Sequence, residues 1–138
     1  MRAMLDVALH CSVELVARSE IAGRQELSAD YVAHLFRRLR DAGLVLGVRG
    51  PSGGYSLART AESICIGEFV RAVEGPSAAA DCVLSVQEHP CPRIAQCAAH
   101  QVWMRLSGIM AEFLDSSTLA DLCGDARNLA LEDSTLRL

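Results

Sequence analysis

The chain contains no lysine and few aromatic residues, so its surfaces and core are built from a narrow set of side chains. Its 138 residues include only three Phe, two Tyr and one Trp, and aliphatic side chains must therefore fill any core. No apolar run approaches the roughly 18 residues that a transmembrane helix needs. The sequence also lacks the basic start, apolar run and small-residue cleavage site of a secretory signal. We therefore expect a cytoplasmic protein of about one domain that has no membrane partner.

Groupings typical of a catalytic site are also missing. No convincing nucleophile–base pair or carboxylate dyad stands out, which argues against an enzyme. The six cysteines need a different explanation. Structural disulfides are rare in a reducing compartment, so clustered cysteines favour metal binding or redox sensing.

Charge is distributed unevenly along the chain. The formal net charge of −4 at first argues against a nucleic acid partner. Residues 1–59, however, carry a balance of +2, whereas residues 60–138 carry −6. Because salt screens charges beyond roughly a 10 Å Debye length, the local balance decides whether phosphate binds. The candidate surface for nucleic acid is therefore the stretch 37–59, which contains a single acid, Asp41. It contains five arginines: Arg37, Arg38, Arg40, Arg49 and Arg59.

The first half of the chain predicts three helices. Apolar residues at helical spacing indicate a helix over 1–10, and a short second helix is expected over 18–25. In the third helix, Ser28 is a good N-cap, Asp30 complements the helix dipole, and Gly43 stands just past the end. One face of this helix is an apolar stripe that leaves the arginines outside it: Val32, Leu35, Phe36 and Leu39.

A β-hairpin is predicted directly after the third helix. "LVLGV" and "YSLAR" have the composition of strands, and "RGPSGG" between them is a glycine-rich turn. Helix, helix and hairpin is the order of a winged helix-turn-helix, in which the second helix of the pair enters the major groove. Taken singly, the arginines could be a solvated helix face and the turn an ordinary hairpin, but their combination favours binding of double-stranded DNA. The predicted DNA-binding residues are Ser28, Asp30, Tyr31, His34, Arg37, Arg38, Arg40, Arg49, Ser52, Gly53 and Gly54.

The second half predicts a short helix, a loop and a long amphipathic helix. The short helix starts near Gly67 and is stopped by Gly75 and Pro76. The long helix runs from about Pro92 to Asp115 and has more apolar surface than one small domain can cover, which indicates a dimerisation helix. "STLADLC" predicts one or two further turns, and the weakly patterned last residues are expected to be frayed.

Three cysteines and a histidine form a possible ligand set in this half: Cys82, Cys91, Cys97 and His100. Thiolate and imidazole are ligands that select iron–sulphur clusters or zinc. Cys97 and His100 are three residues apart, so on a helix they share a face. The spacing is not that of a standard zinc finger, and a set of reduced, half-buried cysteines with a surface histidine is an equally good interpretation. Cys65 is expected in the core, and no metal-binding or redox role is predicted for Cys11 and Cys123.

Several stretches resemble one family of bacterial transcription regulators. "AMLDVAL", "LFRRLRDAGLV", "VRGPSGGYSLAR", "IGEFVRAVEG" and "CAAHQVW" are similar to the Rrf2 family, and in particular to its IscR-type iron–sulphur cluster regulators, to about residue 123. The resemblance implies a homodimeric winged-helix repressor or activator that binds a palindromic operator. It also implies a 2Fe–2S cluster in each subunit, or a 4Fe–4S cluster, that senses iron–sulphur status, nitric oxide or redox stress. Its ligands would be Cys82, Cys91, Cys97 and His100. The sequence leaves open whether the fourth ligand is His100 or a residue such as Asp6 from elsewhere in the dimer.

The sequence departs from the family pattern in three places. Family members carry a basic lead before "AMLDVAL", so the first helix is expected to be truncated here. The spacing from Cys82 to Cys91 is longer than is common in the family, a change that a loop tolerates because closure entropy grows only logarithmically with length. Ala33, next to His34, replaces the recognition-helix glutamate of IscR-type members, which alters the expected operator preference.

These inferences predict a mainly α fold with a small β-hairpin. The winged helix-turn-helix domain is expected over 1–75, a cluster-binding loop over 76–98, a dimerisation helix region over 92–123 and a flexible tail over 124–138. Two other functions stay open. One is a winged-helix regulator with structural zinc or thiol-based redox sensing. The other is an iron–sulphur carrier with no DNA role, which would leave the arginine-rich wing unexplained.

Overall fold

The fold consists of helices around one small hairpin, in the computed structural model that describes residues 1–11, 15–76, 78–84 and 91–136. Within these residues the chain forms six α-helices and two antiparallel strands. Their bounds are α1 Arg2–His10, α2 Arg18–Gln25, α3 Ala29–Asp41, β1 Val45–Val48, β2 Gly54–Leu57, α4 Ile66–Glu74, α5 Ala98–Ser116 and α6 Leu119–Leu136. Short 3₁₀ turns lie at Ala61–Ser63, Asp81–Val83 and Ile94–Gln96. The predicted mainly α fold with a β-hairpin is confirmed.

One aliphatic core holds the first half of the chain together. It is built from α1, α2, α3, β1, α4 and the start of α6, and the predicted stripe of α3 is buried in it. Phe36 is fully buried and stacks on Tyr55 of β2 with 4.3 Å between the ring centroids. None of the α5 residues, all of which the structure describes, belongs to this core. The long helix is therefore an addition to a body that is already packed.

Local signals fix both ends of α3. The Ser28 hydroxyl accepts a hydrogen bond from the Tyr31 amide at 3.1 Å, which is the predicted N-cap. At the other end, Gly43 has a φ of +70°, and the Leu44 amide donates to the Leu39 carbonyl at 2.9 Å. A left-handed glycine with this bond closes the helix as a Schellman motif. The helix therefore begins and ends where the sequence predicts.

The wing is fastened to the start of α2. Val16 pairs with Tyr55 of β2 through two backbone hydrogen bonds of 2.9 Å, one in each direction. The turn between the strands needs glycine at two positions. A Cβ on Gly53 would lie 2.3 Å from the Val48 carbonyl oxygen, and a Cβ on Gly54 would lie 2.5 Å from the Val16 carbonyl oxygen. The glycines therefore allow close backbone contacts that lock the wing against the body.

The second half differs from the sequence-based prediction at α5 and α6. The α5 helix begins at Ala98 and not near Pro92, because Ile94–Gln96 forms a separate 3₁₀ turn and Cys97 has an extended backbone with ψ 106°. The α6 helix continues to Leu136, well past the one or two turns expected. Thr118 and Asp121 form a reciprocal cap that starts it. Between residues 125 and 132 of α6 nearly every residue is exposed, so no buried stripe in this part revealed the helix.

Two further sequence-based predictions concern the loop and membrane insertion. Residue 77 and residues 85–90 of the predicted cluster loop lie outside the described residues. Among the helices that the structure describes, none has the length and apolarity to cross a bilayer.

Candidate nucleic-acid interface and cluster site

The outward face of α3 carries several of the predicted DNA-binding residues. Asp30, His34 and Arg37 follow one another at helical spacing and are exposed, and Tyr31 beside them is 52% exposed. Residues four and three apart on a helix share a face, so these side chains form one polar strip. Ser28 lies at the N-terminal end of this strip, with its hydroxyl used as the cap.

The arginines of this region have different surroundings. A guanidinium nitrogen of Arg38 donates to the backbone carbonyl of Val73 in the last turn of α4, so this side chain is turned toward the body. Arg40 lies 3.3 Å from Asp41 in an exposed pair, and Arg59 is 2.8 Å from Glu68. Arg37 and Arg49 make no ion pair with any described residue. Within 37–59, the arginines without an ion pair to a described residue therefore include Arg37 on α3 and Arg49 on the wing.

The wing presents polar and small residues to solvent. Arg49, Gly50, Pro51 and Ser52 are exposed, and Gly50 has a φ of +120°, a backbone conformation that other residues rarely adopt. The predicted wing residues Arg49 and Ser52 lie at this exposed tip, whereas Gly53 is half-buried and Gly54 is buried at the start of β2. The sequence did not predict that the start of α2 lies beside this tip, because the pairing of Val16 with Tyr55 joins segments far apart in the chain.

Three of the predicted cluster ligands lie on a compact stretch before and at the start of α5. The Cys91 carbonyl accepts from the Ile94 amide at 3.1 Å, the Ile94 carbonyl accepts from the Cys97 amide at 3.4 Å, and the Cys97 carbonyl accepts from the His100 amide at 3.1 Å. Successive three-residue turns therefore connect Cys91 to His100. Cys91 is exposed, whereas Cys97 and His100 are half-buried.

The segment that bears Cys82 is held on the same helix. The Ala79 amide donates to the hydroxyl of Ser107 at 2.9 Å, and Ser107 is buried in the middle of α5. Half-buried Cys82 lies in the Asp81–Val83 turn, which packs against α5. Ser107 and His100 are seven residues apart and so share a face, about 10.5 Å apart along the helix axis. The Cys82 segment and His100 therefore belong to one side of α5.

The chemical types of these donor atoms are those that bind an iron–sulphur cluster. The Nδ1 atom of His100 is buried and has no hydrogen-bond partner among the described residues. Buried polar atoms normally have such a partner, so this nitrogen is available for a ligand. Three thiols and one imidazole are also the donor types that iron accepts. However, in the part of the chain that the structure describes, no three or more His, Cys, Asp or Glu side chains are gathered closely enough to hold a metal ion.

The other cysteines and Asp6 have structural surroundings. Asp6 is buried, and its carboxylate accepts hydrogen bonds from Arg24 at 2.8 Å and from Gln25 at 3.1 Å, which occupies it inside its own subunit. Cys65, expected in the core, is only half-buried and caps α4, with its thiol 3.5 Å from an oxygen of Asp115. Cys123 is buried in α6, and this burial raises the pKa of its thiol.

A joint between α4 and α5 was not predicted from the sequence. Asp115 lies 2.8 Å from Arg71, and the hydrogen bond from this guanidinium holds the pKa of the Asp115 carboxyl below its ordinary value. The Ile66 amide donates to the Ser117 carbonyl, and the Leu119 amide donates to the Ile64 carbonyl, both at 2.9 Å. These contacts attach the end of the long helix to the winged body.

The winged body, the basic tip and the attached long helix also match known proteins. A family model described as an iron-dependent transcriptional regulator, Rrf2, matches residues 1–125. The chain belongs to the Rrf2 family. It is 40% identical to the HTH-type transcriptional regulator IscR of Vibrio campbellii over 131 residues, which are 95% of this chain and 76% of that protein.

Solved structures of Rrf2-type regulators agree with the fold. IscR of T. potens superposes with a TM-score of 0.71 at 38% identity, covering 91% of this chain and 80% of the other. CymR, the global cysteine regulator of B. subtilis, gives a TM-score of 0.69 at 33% identity, covering 88% and 87%. The chain is accordingly a winged-helix, DNA-binding transcription regulator of the Rrf2 family and not an enzyme, as the sequence predicted.

Proposed function

We propose that this Rrf2-family regulator is a homodimer whose binding to a palindromic operator is controlled by an iron–sulphur cluster. Its ligands are Cys82, Cys91, Cys97 and His100, and the cluster is most simply of the 2Fe–2S type. The observation that carries this proposal is the buried, unpartnered Nδ1 of His100 beside a cysteine-bearing turn. When bound, the cluster supplies a centre that iron supply, oxygen or nitric oxide can alter.

The chain's own residues prepare this site before any cluster binds. His100 must be neutral and the three cysteines must be thiolates to act as ligands, so loading releases protons and is favoured as pH rises. Ser107 holds the backbone of Ala79 and so keeps the Cys82 segment close to α5. The remaining movement gathers Cys91 and Cys82, whose segment already lies on the His100 side of α5, around His100.

The exposed face of α5 supports the homodimer. Four large apolar side chains recur along it at helical spacing, with exposed fractions of 59% for Val102, 39% for Leu106, 64% for Ile109 and 68% for Phe113. Contiguous apolar faces of this kind are uncommon on monomers. A second copy of the same helix is the occupant that fits, because a two-fold pair of wings would match the symmetry of a palindrome.

A chain of contacts connects the proposed cluster site with the recognition helix. The start of α5 carries the ligands Cys97 and His100, and its end is attached to α4 through Arg71 and Asp115. The α4 helix in turn accepts the hydrogen bond from Arg38 of α3 at Val73. A shift of α5 on loading would therefore move the two recognition helices of a dimer relative to each other.

Anaerobic reconstitution with iron and sulphide tests the cluster. We expect the wild-type chain to develop visible absorption and a paramagnetic signal after reduction, and its operator affinity to change on loading. Cys97→Ala and His100→Ala should lose the chromophore, while Cys11→Ala, the same change at another half-buried cysteine, should keep it. Stoichiometric zinc in anaerobically purified protein, or a full chromophore in Cys97→Ala, would refute the proposal.

Sedimentation tests the dimer separately. Replacing Ile109 and Phe113 together by Glu should convert a dimer to a monomer, because the charges would be buried at the interface. Leu129→Glu is the matched control, since Leu129 is 66% exposed on α6. A dimer that survives the double change would contradict the assignment of α5 as the interface.

A further inference from the structure

A cavity of about 530 Å³ lies between the wing and the start of α2. Three arginines line it: Arg18 is the first residue of α2, Arg40 lies on α3, and Arg49 begins the wing turn. Among the residues that the structure describes, no acid lines this cavity, and most of its other lining residues are small. The feature is therefore a concave, positively charged site between three separate elements.

The charges of this cavity are largely uncompensated. Neither Arg18 nor Arg49 makes an ion pair or side-chain hydrogen bond with any residue that the structure describes. Arg40 has an exposed pair with Asp41, a kind of contact that competes weakly with a ligand. The nearest acid on α2, Glu20, is turned toward the Ala17 amide at 3.4 Å and toward Arg24 at 3.8 Å.

The walls of the cavity are held at a fixed separation. The two hydrogen bonds between Val16 and Tyr55 join the segment before α2 to the wing strand. At Gly53 and Gly54 a Cβ would collide with backbone, so the turn is packed tightly. The amides of Arg18 and Ser19 have no acceptor among the described residues and add to the donors available there.

We propose that this cavity binds one phosphodiester of the DNA backbone, with Arg18 as a phosphate ligand. The inference deepens the DNA-binding function of the chain. The cavity lies between α3, which enters the major groove, and the wing, so the strand between the two grooves passes over it. Arginine forks bind phosphate oxygens with two parallel hydrogen bonds, and small lining residues let the backbone approach.

The position of the cavity also determines what it contributes. A phosphate carries no base identity, so the contact adds affinity and fixes the register of the protein on the duplex without selecting its sequence. This role differs from that of the exposed strip on α3. Mutation of the cavity should consequently change the affinity for DNA without changing sequence preference, whereas mutation of the exposed strip on α3 should change sequence preference.

The salt dependence of DNA binding tests the proposal. A duplex selected by the wild-type dimer from random sequence is titrated with wild type and Arg18→Gln over a range of salt concentrations. Loss of one phosphate contact in each half-site should reduce the slope of log K against log salt by about 1.8 for the dimer. Affinity at low salt should fall roughly tenfold for each half-site, as expected for the loss of one charge-assisted hydrogen bond per subunit. The preference for the selected duplex over a mismatched one should stay the same.

Two companion variants keep this measurement interpretable. Arg127→Gln removes the same charge from an exposed residue on α6 and should leave the slope unchanged. Arg18→Lys keeps a positive charge and should restore the slope, which separates phosphate binding from a folding defect that circular dichroism would also reveal. An unchanged slope in Arg18→Gln, or a changed sequence preference with the same slope, would overturn the proposal.

The source of the phosphate is resolved with modified ligands. A neutral methylphosphonate at one backbone position of each half-site should weaken wild type and leave Arg18→Gln unaffected at that position. Inorganic phosphate is titrated in parallel at constant ionic strength, with the Arg18 amide followed by nuclear magnetic resonance. Saturable binding of free phosphate with no effect of Arg18→Gln on DNA would mean a free-anion site and would contradict the proposal. If wild type binds no duplex at all, the DNA-binding function itself fails.

Discussion

The carboxylate of Asp115 at the end of α5 lies 2.8 Å from the guanidinium of Arg71 on α4, over the backbone of Gly67. A Cβ on Gly67 would be only 1.9 Å from the nearer carboxylate oxygen. The thiol of Cys65 approaches the same oxygen at 3.5 Å. The absence of a side chain at Gly67 is therefore what allows the long helix to contact the winged body so closely.

Gly67→Ala should displace Asp115 and release its ion pair with Arg71. Since that pair lowers the pKa of the Asp115 carboxyl, we expect this pKa to rise toward its ordinary value in the variant. In wild type the pair stabilises the joint above the ordinary pKa, and this contribution is lost as pH falls through the lowered pKa. A carboxyl titration by nuclear magnetic resonance measures the change. Gly108→Ala, on α5 and with no atom within 4 Å of the added Cβ, should leave the titration unaltered.

Asp6→Asn should destabilise the helix-turn-helix. Asp6 is only 3% exposed, and this burial by itself would raise the pKa of its carboxyl. Hydrogen bonds from Arg24 and Gln25 outweigh the effect of burial, so the pKa is lowered. We expect a loss of about 2 kcal/mol in the free energy of unfolding, less than for a fully buried pair because Arg24 stays partly exposed. The difference from wild type should shrink as pH falls through the lowered pKa. Urea unfolding at several pH values measures this, and an equal difference at all pH values would contradict it.

Ser107→Ala should loosen the segment that bears Cys82. The Ala79 amide loses its acceptor at 2.9 Å, so its hydrogen exchange should accelerate. If the cluster is held as proposed, its loss under air should also become faster. Ser107→Thr keeps the hydroxyl and should restore both rates. Ser116→Ala removes an exposed hydroxyl from the same helix and should change neither.

Gly53→Ala and Gly124→Ala should have opposite effects. At Gly53 a Cβ would lie 2.3 Å from a backbone oxygen, so the wing must distort and DNA affinity should fall strongly, with a stability loss of about 2 kcal/mol. At Gly124 no atom lies within 4 Å, and alanine should stabilise α6 by up to about 1 kcal/mol through its helix propensity. Thermal unfolding and duplex binding of the two variants provide the comparison. Equal DNA affinity in both would show that the wing does not contact DNA.

The features that could be predicted from the sequence are those with local causes. The cap at Ser28, the glycine at 43 and the stripe of α3 act within a few residues, and the structure contains all of them. The contacts of Arg38 with Val73 and of Arg71 with Asp115 join residues far apart in the chain, and no local pattern signals them. For the same reason Arg18 was not assigned to the DNA surface, because its proximity to the wing depends on the Val16–Tyr55 pairing.

Errors at α5 and α6 have a different physical origin. An amphipathic pattern extended the predicted α5 back to Pro92, but the extended backbone of Cys97 interrupts helical geometry there. In α6 the apolar anchors Leu119 and Cys123 are confined to the first turns, and the following residues are mostly exposed. Periodicity therefore marks where a helix packs, and it does not mark how far the helix continues into solvent.

The separation of α5 from the aliphatic core has a consequence for how subunits of the proposed homodimer would be exchanged. Two copies paired through this helix would part without opening the interior of either DNA-binding half. A newly made subunit would replace an older one by separation of one helical contact, and each half would stay folded while it is alone. Turnover of the proposed dimer would thereby be uncoupled from unfolding of its subunits.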